Sequence, residues 1–256
     1  MREQVAPLSG TEEGRIAHQV GAGGDTTVEV DRIAEEIVFR ELAGLVEQGE
    51  TFSVLSEEAG HCSFGAEYPL VLVDPVDGSL NAKQGVPLYG VMLAVLDGPM
   101  VDDVFAGMVM NLATGEEWTA IRKHGAWRSG NRITPLRRSE QGRLELLGLE
   151  STPHALKVAR PLVERSGKIR ILGSMALSIA LTAAGAFDAF CAPLKVRVFD
   201  MAASLLLLSE AGGVATDLEG NGLGRLSCDL ATRSTLLCAA TPQLHAEALE
   251  ILQSGR

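Results

Sequence analysis

The chain has 256 residues, 46% of them apolar, and carries a formal net charge of −11. Apolar residues spread along such a length provide a sizeable core, in one large domain or two closely packed subdomains. The acidic balance excludes nucleic-acid binding through a broadly basic surface, and the apolar runs are shorter than the ~20 residues that a membrane span needs.

Residues 1–30 contain Gly10, Gly14, Gly21, Gly23 and Gly24 without a sustained period, which predicts loop with one short extended segment. From Asp31 to about Gln48, the apolar residues Ile33, Ala34, Ile37, Val38, Leu42 and Leu45 recur at helical spacing, with Asp31 as the opening residue. Thr51–Leu55 and Leu70–Val73 read as strands. Leu88 to Trp127 reads as an antiparallel meander turning at Asp97-Gly98-Pro99 and Ala113-Thr114-Gly115. The polar, basic stretch from Asn131 to about Arg143 marks a boundary between an N-terminal α+β subdomain (1–138) and a C-terminal α/β subdomain (139–256). Beyond it the pattern alternates. A strand near Leu146, a helix after Pro153, a strand at Ile169–Leu172, a helix at Ser174–Ala184 and a strand at Phe187–Cys191 are followed by a helix at Met201–Ala211, a strand at Thr235–Ala240 and a helix after Pro242. This is α/β layering, with helices against sheet.

The four cysteines (Cys62, Cys191, Cys228, Cys238) form no CxxC pair, and the five histidines are scattered. Free thiols in a reducing cytoplasm are expected, without a zinc site. The polar start at Arg2, Glu3 and Gln4 lacks the apolar core of a signal peptide, so the expected location is cytoplasmic.

The run Leu70-Val71-Leu72-Val73-Asp74-Pro75-Val76-Asp77-Gly78-Ser79 carries the chemistry. A buried strand ends in two carboxylates that repel each other and resist desolvation unless a cation sits between them. Gly78 and Ser79 then offer backbone N–H groups and a hydroxyl where a helix can begin, which is an anion site. A cation site beside an anion site points to metal-assisted chemistry on a phosphate. Further acids fall at segment edges: Asp31, Glu57 and Glu58, and Asp200. Gathered together, they could hold two or three hard cations such as Mg²⁺. Each has a plainer reading. Asp31 and Asp200 could be helix N-caps, Glu57 and Glu58 solvated charge, Asp74-Pro75 and Asp77-Gly78 turns, and Ser79 a cap.

In combination these residues resemble the inositol monophosphatase family of Mg²⁺-dependent, lithium-sensitive phosphatases. Asp74 to Asn81 fits that family's Asp-Pro-x-Asp-Gly-Thr/Ser-x-Asn signature. Val198-Phe199-Asp200-Met201-Ala202-Ala203 with Glu210-Ala211-Gly212-Gly213 fits its second signature. Gly173-Ser174-Met175-Ala176 and Ala184-Gly185-Ala186-Phe187-Asp188-Ala189 look like the helix–strand unit before it. The resemblance implies a layered αβαβα sandwich of the inositol monophosphatase / fructose-1,6-bisphosphatase type, with the active site between its two parts. It implies Glu57, Asp74, the Val76 carbonyl, Asp77 and Asp200 as metal ligands, and Asp31 acting through a metal-bound water or a third, weaker ion. Gly78 and Ser79 would bind phosphate, while Glu57 and Ser79 would orient water for in-line attack. Gly173, Ser174, Met175, Lys195 and Arg197 would lie on the substrate side. Small phosphorylated substrates and a homodimer are implied as well.

The chain departs from the family pattern at Ser79, where threonine is frequent, at Ala82, where an aromatic is frequent, and at Pro193, where many members have a glutamate. With Lys195 and Arg197 nearby, it is most similar to the archaeal-type branch, which often hydrolyses fructose 1,6-bisphosphate as well as inositol phosphate. The two cations could hold a second phosphate or be surface charge. The leading helix of the family is expected to be reduced. A 3′-phosphoadenosine 5′-phosphate or NADP phosphatase is the alternative of the same fold, and a regulatory homologue without turnover is the non-enzymatic one. An aspartyl-phosphate mechanism needs aspartates two positions apart, whereas Asp74 and Asp77 are three apart.

Overall fold

The structure is a computed structural model, described here for residues 1–134, 144–150 and 152–254. The expected boundary at 138/139 lies outside these residues. Helix α1 (Arg2–Val5) is a single turn, followed by an antiparallel pair, β1 (Ala17–Val20) and β2 (Thr26–Val28). Here the prediction of loop with one extended segment is corrected. Strand β1 is exposed along its whole length and so lacks the apolar alternation that marks a strand in sequence.

Helix α2 (Glu29–Glu47) starts two residues before Asp31, which corrects Asp31 as the helix cap. A seven-stranded sheet follows from β3 (Phe52–Ser56), β4 (Gly60–Asp77), β5 (Gly90–Leu96), β6 (Val104–Asn111), β7 (Glu117–Ile121), β8 (Gly125–Arg128) and β9 (Asn131–Arg132), with the short helix α3 (Ser79–Gln84) after β4. Strand β4 is far longer than the four residues expected. Its start pairs with one side of β3 (Val54 opposite Cys62), and its end runs parallel along the other (Val54 opposite Val71). From β5 to β8 the predicted meander is present.

The second sheet contains β10 (Leu144–Leu149), β11 (Ser166–Ile171), β12 (Ala189–Arg197), β13 (Val214–Thr216) and β14 (Arg233–Ala239), in the order β11-β10-β12-β14-β13. Between these strands run α4 (Leu156–Glu164), α5 (Met175–Ala183) and α6 (Ala202–Glu210), and α7 (Pro242–Ser254) closes the chain. Strand β12 extends to Arg197, six residues past the expected end, and the short β13 had no counterpart in the sequence reading.

Alternation along the strands decides the layers. Leu72, Met92 and Ala94 point into one cluster with α5 and α6, while Val73 and Val91 point the other way, toward α2. In the second sheet, Phe190, Leu236 and Cys238 also face α5 and α6, whereas Cys191, Leu237 and Ala239 face α4 and α7. Helices α5 and α6 are apolar almost all round because they are covered from both sides. The resulting order, α2, first sheet, α5/α6, second sheet, α4/α7, is the αβαβα sandwich that the resemblance implied. Among the described residues, no helix is long and apolar enough to cross a membrane.

Candidate metal centre

The acids converge where the ends of β3 and β4 meet the end of β12. Glu57 follows β3 directly, and its N–H donates to the Val73 carbonyl at 3.1 Å, so pairing with β4 fixes its position. Asp74 and Asp77 close β4. In a regular strand, residues three apart face opposite sides. Here Asp74 lies opposite Met92 while Asp77 lies opposite Gly90, so three steps on β4 match two on β5. This bulge re-phases the strand end and brings both carboxylates to the same region. Asp200 sits in the turn that links β12 to α6.

One carboxylate oxygen from each of Glu57, Asp74 and Asp200 lies within 4.8 Å of the others, a spacing that one cation can bridge. Asp74 and Asp200 are buried, and Asp200 Oδ1 is buried without a hydrogen-bond partner. A buried, unpartnered carboxylate oxygen is costly unless something cationic meets it. This donor set therefore fits a hard divalent ion held by oxygen.

The electrostatics agree. Burial raises Asp74 well above the ordinary carboxylate range, and the charges of Glu57, Asp77 and Asp200 add to the effect. Asp200 is pushed up to about 7, chiefly by burial, with Arg197 opposing and Glu57 adding. Asp77 rises to about 6 through burial, against three hydrogen bonds that stabilise its charge. Burial also lifts Glu58 to about 7, despite the hydrogen bond it accepts from the Thr27 hydroxyl.

The other predicted residues take definite places. Asp77 accepts hydrogen bonds from the Ser174 hydroxyl, the Met175 N–H (3.1 Å) and the Ala176 N–H (2.8 Å), and so anchors the start of α5. Ser174 is itself the α5 cap, accepting from the Leu177 N–H. Asp31 accepts from the Val28 N–H and from the Ser79 hydroxyl, both at 2.9 Å. The Ser79 hydroxyl also lies 2.8 Å from the Val76 carbonyl. Ser79 is the first residue of α3 rather than its cap. That place belongs to Gly78, whose φ of +90° is strained for any residue with a side chain. Close by is Gly173, whose carbonyl would be 3.1 Å from a Cβ on Gly78. Lys195 is exposed on β12.

Arg197 is not surface charge. Its side chain is 14% exposed and reaches into the acids, donating to Glu57 and, at 3.0 Å, to Asp200. Sequence spacing gave no signal for this contact, because Glu57 lies 140 residues away. Asn81 is a second residue whose role only the fold reveals. Its Nδ2 donates to the carbonyls of Leu88 (2.7 Å) and Leu172 (2.6 Å), tying α3 to the loops before β5 and after β11.

Comparison with known proteins places nearly the whole chain in a family. The profile of the inositol monophosphatase family covers residues 5–255. The fructose-1,6-bisphosphatase/inositol-1-monophosphatase of Methanothermobacter thermautotrophicus is 33% identical over 97% of this chain and 91% of its own length. A bifunctional NADP phosphatase/NAD kinase of Methanococcus maripaludis is 28% identical over 93% of this chain and 45% of its own. Among solved structures, an IMPase of Thermotoga maritima superposes with a TM-score of 0.77 at 27% identity, covering 99% of this chain and 94% of that one. The chain belongs to the inositol monophosphatase family of phosphoric monoester hydrolases.

Proposed function

We propose that the chain is a Mg²⁺-dependent phosphomonoesterase that hydrolyses a small polyol or sugar phosphate, inositol 1-phosphate or fructose 1,6-bisphosphate, by in-line attack of water on phosphorus. The observation that carries this reading is the convergence of Glu57, Asp74 and Asp200, together with a buried, partnerless oxygen on Asp200 and with Gly78 and Ser79 following Asp77 directly in the chain. Glu57, Asp74, the Val76 carbonyl, Asp77 and Asp200 would hold two or three ions. Asp77 keeps one of its roughly four acceptor sites beyond its three donors. A divalent cation bound there supplies Lewis acidity and lowers the pKa of water.

The chain's own groups do the rest. Ser79 Oγ takes the proton of the attacking water as its own proton passes to Asp31 Oδ1, 2.9 Å away. Burial pushes Asp31 up to about 6, so it can accept a proton near neutral pH. Gly78 and Ser79 would receive the phosphoryl oxygens, and the P–O bond breaks on the opposite side to release an alkoxide that takes its proton from solvent water. Gly173, Ser174 and Met175 would lie on the substrate side, and exposed Lys195 would meet a second phosphate. A cytoplasmic homodimer belongs to the same proposal, and sedimentation velocity tests the assembly.

The double activity in the name of the Methanothermobacter relative supports the two substrates, while the Methanococcus relative favours NADP as the second reading. Phosphate release from inositol 1-phosphate, fructose 1,6-bisphosphate and NADP, with Mg²⁺, chelator or Li⁺, tests both. The first two esters should turn over fastest, with loss in chelator and inhibition by Li⁺. Preference for NADP reverses the ranking, and no release from any ester with Mg²⁺ ends the proposal.

A further inference from the structure

Arg197 ends β12 three residues before Asp200, and its guanidinium is divided among several acceptors. Nη2 donates to Glu57 and Nε donates to Asp200 Oδ2 at 3.0 Å. Nη1 lies 3.4 Å from the Gly23 carbonyl and 3.4 Å from Asp25 Oδ2, both in the loop between β1 and β2. That loop can lie against the guanidinium only because residue 23 has no side chain. A Cβ there would be 2.5 Å from Arg197 Nη1 and 2.8 Å from Glu57 Cγ. The Gly23 N–H in turn donates to the Glu57 carbonyl at 2.7 Å. The fork is thus fixed on two of the three carboxylates that converge at the centre.

A divalent cation and this guanidinium seek the same charges. Charge-assisted hydrogen bonds from an arginine to carboxylates are stronger than neutral ones, and here one such bond to each of two buried acids offsets their mutual repulsion. A cation on Glu57 and the free Oδ1 of Asp200 draws on the same negative charge, so each cation weakens the other's hold on the two acids, while the guanidinium retains Gly23 and Asp25 on its other side.

We propose that Arg197 is a built-in counter-cation that competes with the divalent ion for Glu57 and Asp200, setting the affinity of the centre and keeping the acid cluster folded when the ion is scarce. This rests on reading Glu57, Asp74 and Asp200 as a cation centre.

Calorimetric titration of Mg²⁺ into chelator-stripped protein tests it, alongside thermal melts with and without Mg²⁺. Arg197→Gln should bind Mg²⁺ about tenfold more tightly, equivalent to ~1.4 kcal/mol of removed competition. In chelator it should melt lower than the parent, and Mg²⁺ should raise its melting temperature by more. Arg197→Lys keeps the charge but loses the planar fork, so it should also bind more tightly than the parent, though less than the glutamine variant. Unchanged or weaker binding in Arg197→Gln overturns the proposal. Asp74→Asn separates the two levels of inference. If it binds Mg²⁺ like the parent, the cation centre and the competition fail together. If it loses binding while Arg197→Gln gains nothing, only the competition fails.

Discussion

The hydroxyl of Ser174 donates to Asp77 across 97 residues of chain, so the residue that caps α5 also steadies the last carboxylate of β4. Two backbone N–H groups of the same helix end point at Asp77 as well. The helix terminus and the carboxylate therefore stabilise each other, because each satisfies groups the other would leave unpaired.

Replacing Asp77 should harm both stability and turnover. An asparagine has one acceptor oxygen where the carboxylate serves three donors. Asp77→Asn is expected to lose about 1–3 kcal/mol of stability, the usual cost of buried donors left unpaired. Phosphate release should fall much further than that loss explains. Ser174→Ala, which removes the cap, should cost about 1 kcal/mol. Urea unfolding and a phosphate assay on the two variants check the split, and a fully active Asp77→Asn would remove Asp77 from the reaction.

Ser79 can be tested by what replaces it. Ser79→Thr retains the hydroxyl between Asp31 and Val76, and should keep most of the activity. Ser79→Ala removes the proton path and should lower kcat by roughly 10² or more, as expected for loss of a general acid–base step. Equal kcat in the two variants would show that the hydroxyl takes no part.

Asp74 makes stability depend on pH in a direction opposite to ordinary acid denaturation. Its pKa is held well above the usual carboxylate value by burial and by Glu57, Asp77 and Asp200, so the folded chain binds the proton more tightly than the unfolded one. Its contribution to stability is complete below about pH 4 and is lost as pH rises through the elevated value. In chelator, Asp74→Asn should therefore be more stable than the parent at pH 8, with the gap closing toward pH 4. Adding Mg²⁺ should reverse the order. Chemical denaturation at several pH values decides it, and a gap independent of pH would contradict the assignment.

His245 acts with the opposite sign, far from the acids. It is buried on α7 with Nε2 2.9 Å from the Thr216 hydroxyl, and burial lowers its pKa below the ordinary value. Stability from the neutral ring is present above the unfolded value of about 6.5 and is lost as pH falls through the lowered one. His245→Gln should flatten the fall in urea midpoint between pH 7 and pH 5. An unchanged slope would place the titration elsewhere.

What could be read from sequence was what is local. The apolar run from Ser174 to Ala184 gives α5 to within one residue at each end, because a continuous apolar run is a short-range signal. The Asp74 to Asn81 signature is local too, and with it the anion-side turn at Gly78. The first half of β4 does alternate, with Cys62, Phe64, Ala66 and Tyr68 half-buried between exposed His61, Ser63, Gly65 and Glu67, but Gly60 and Gly65 and the small side chains blunt that signal. The engagement of Arg197 with Glu57 and the hold of Ser174 on Asp77 depend on strands that pair only after folding. Spacing along the chain carries no trace of them.

The extra residue that β4 carries against β5 sets a rule for which changes this protein can accept there. Val76 is buried and apolar, and another aliphatic of similar bulk could stand in for it. Deleting one position between Asp74 and Asp77 is a different matter. It would return the strand to a regular pleat and break the registry between the two acids and their partners on β3, α5 and β12. In this segment length is under tighter constraint than composition, so natural variants should exchange one aliphatic side chain for another at position 76 and never gain or lose a residue.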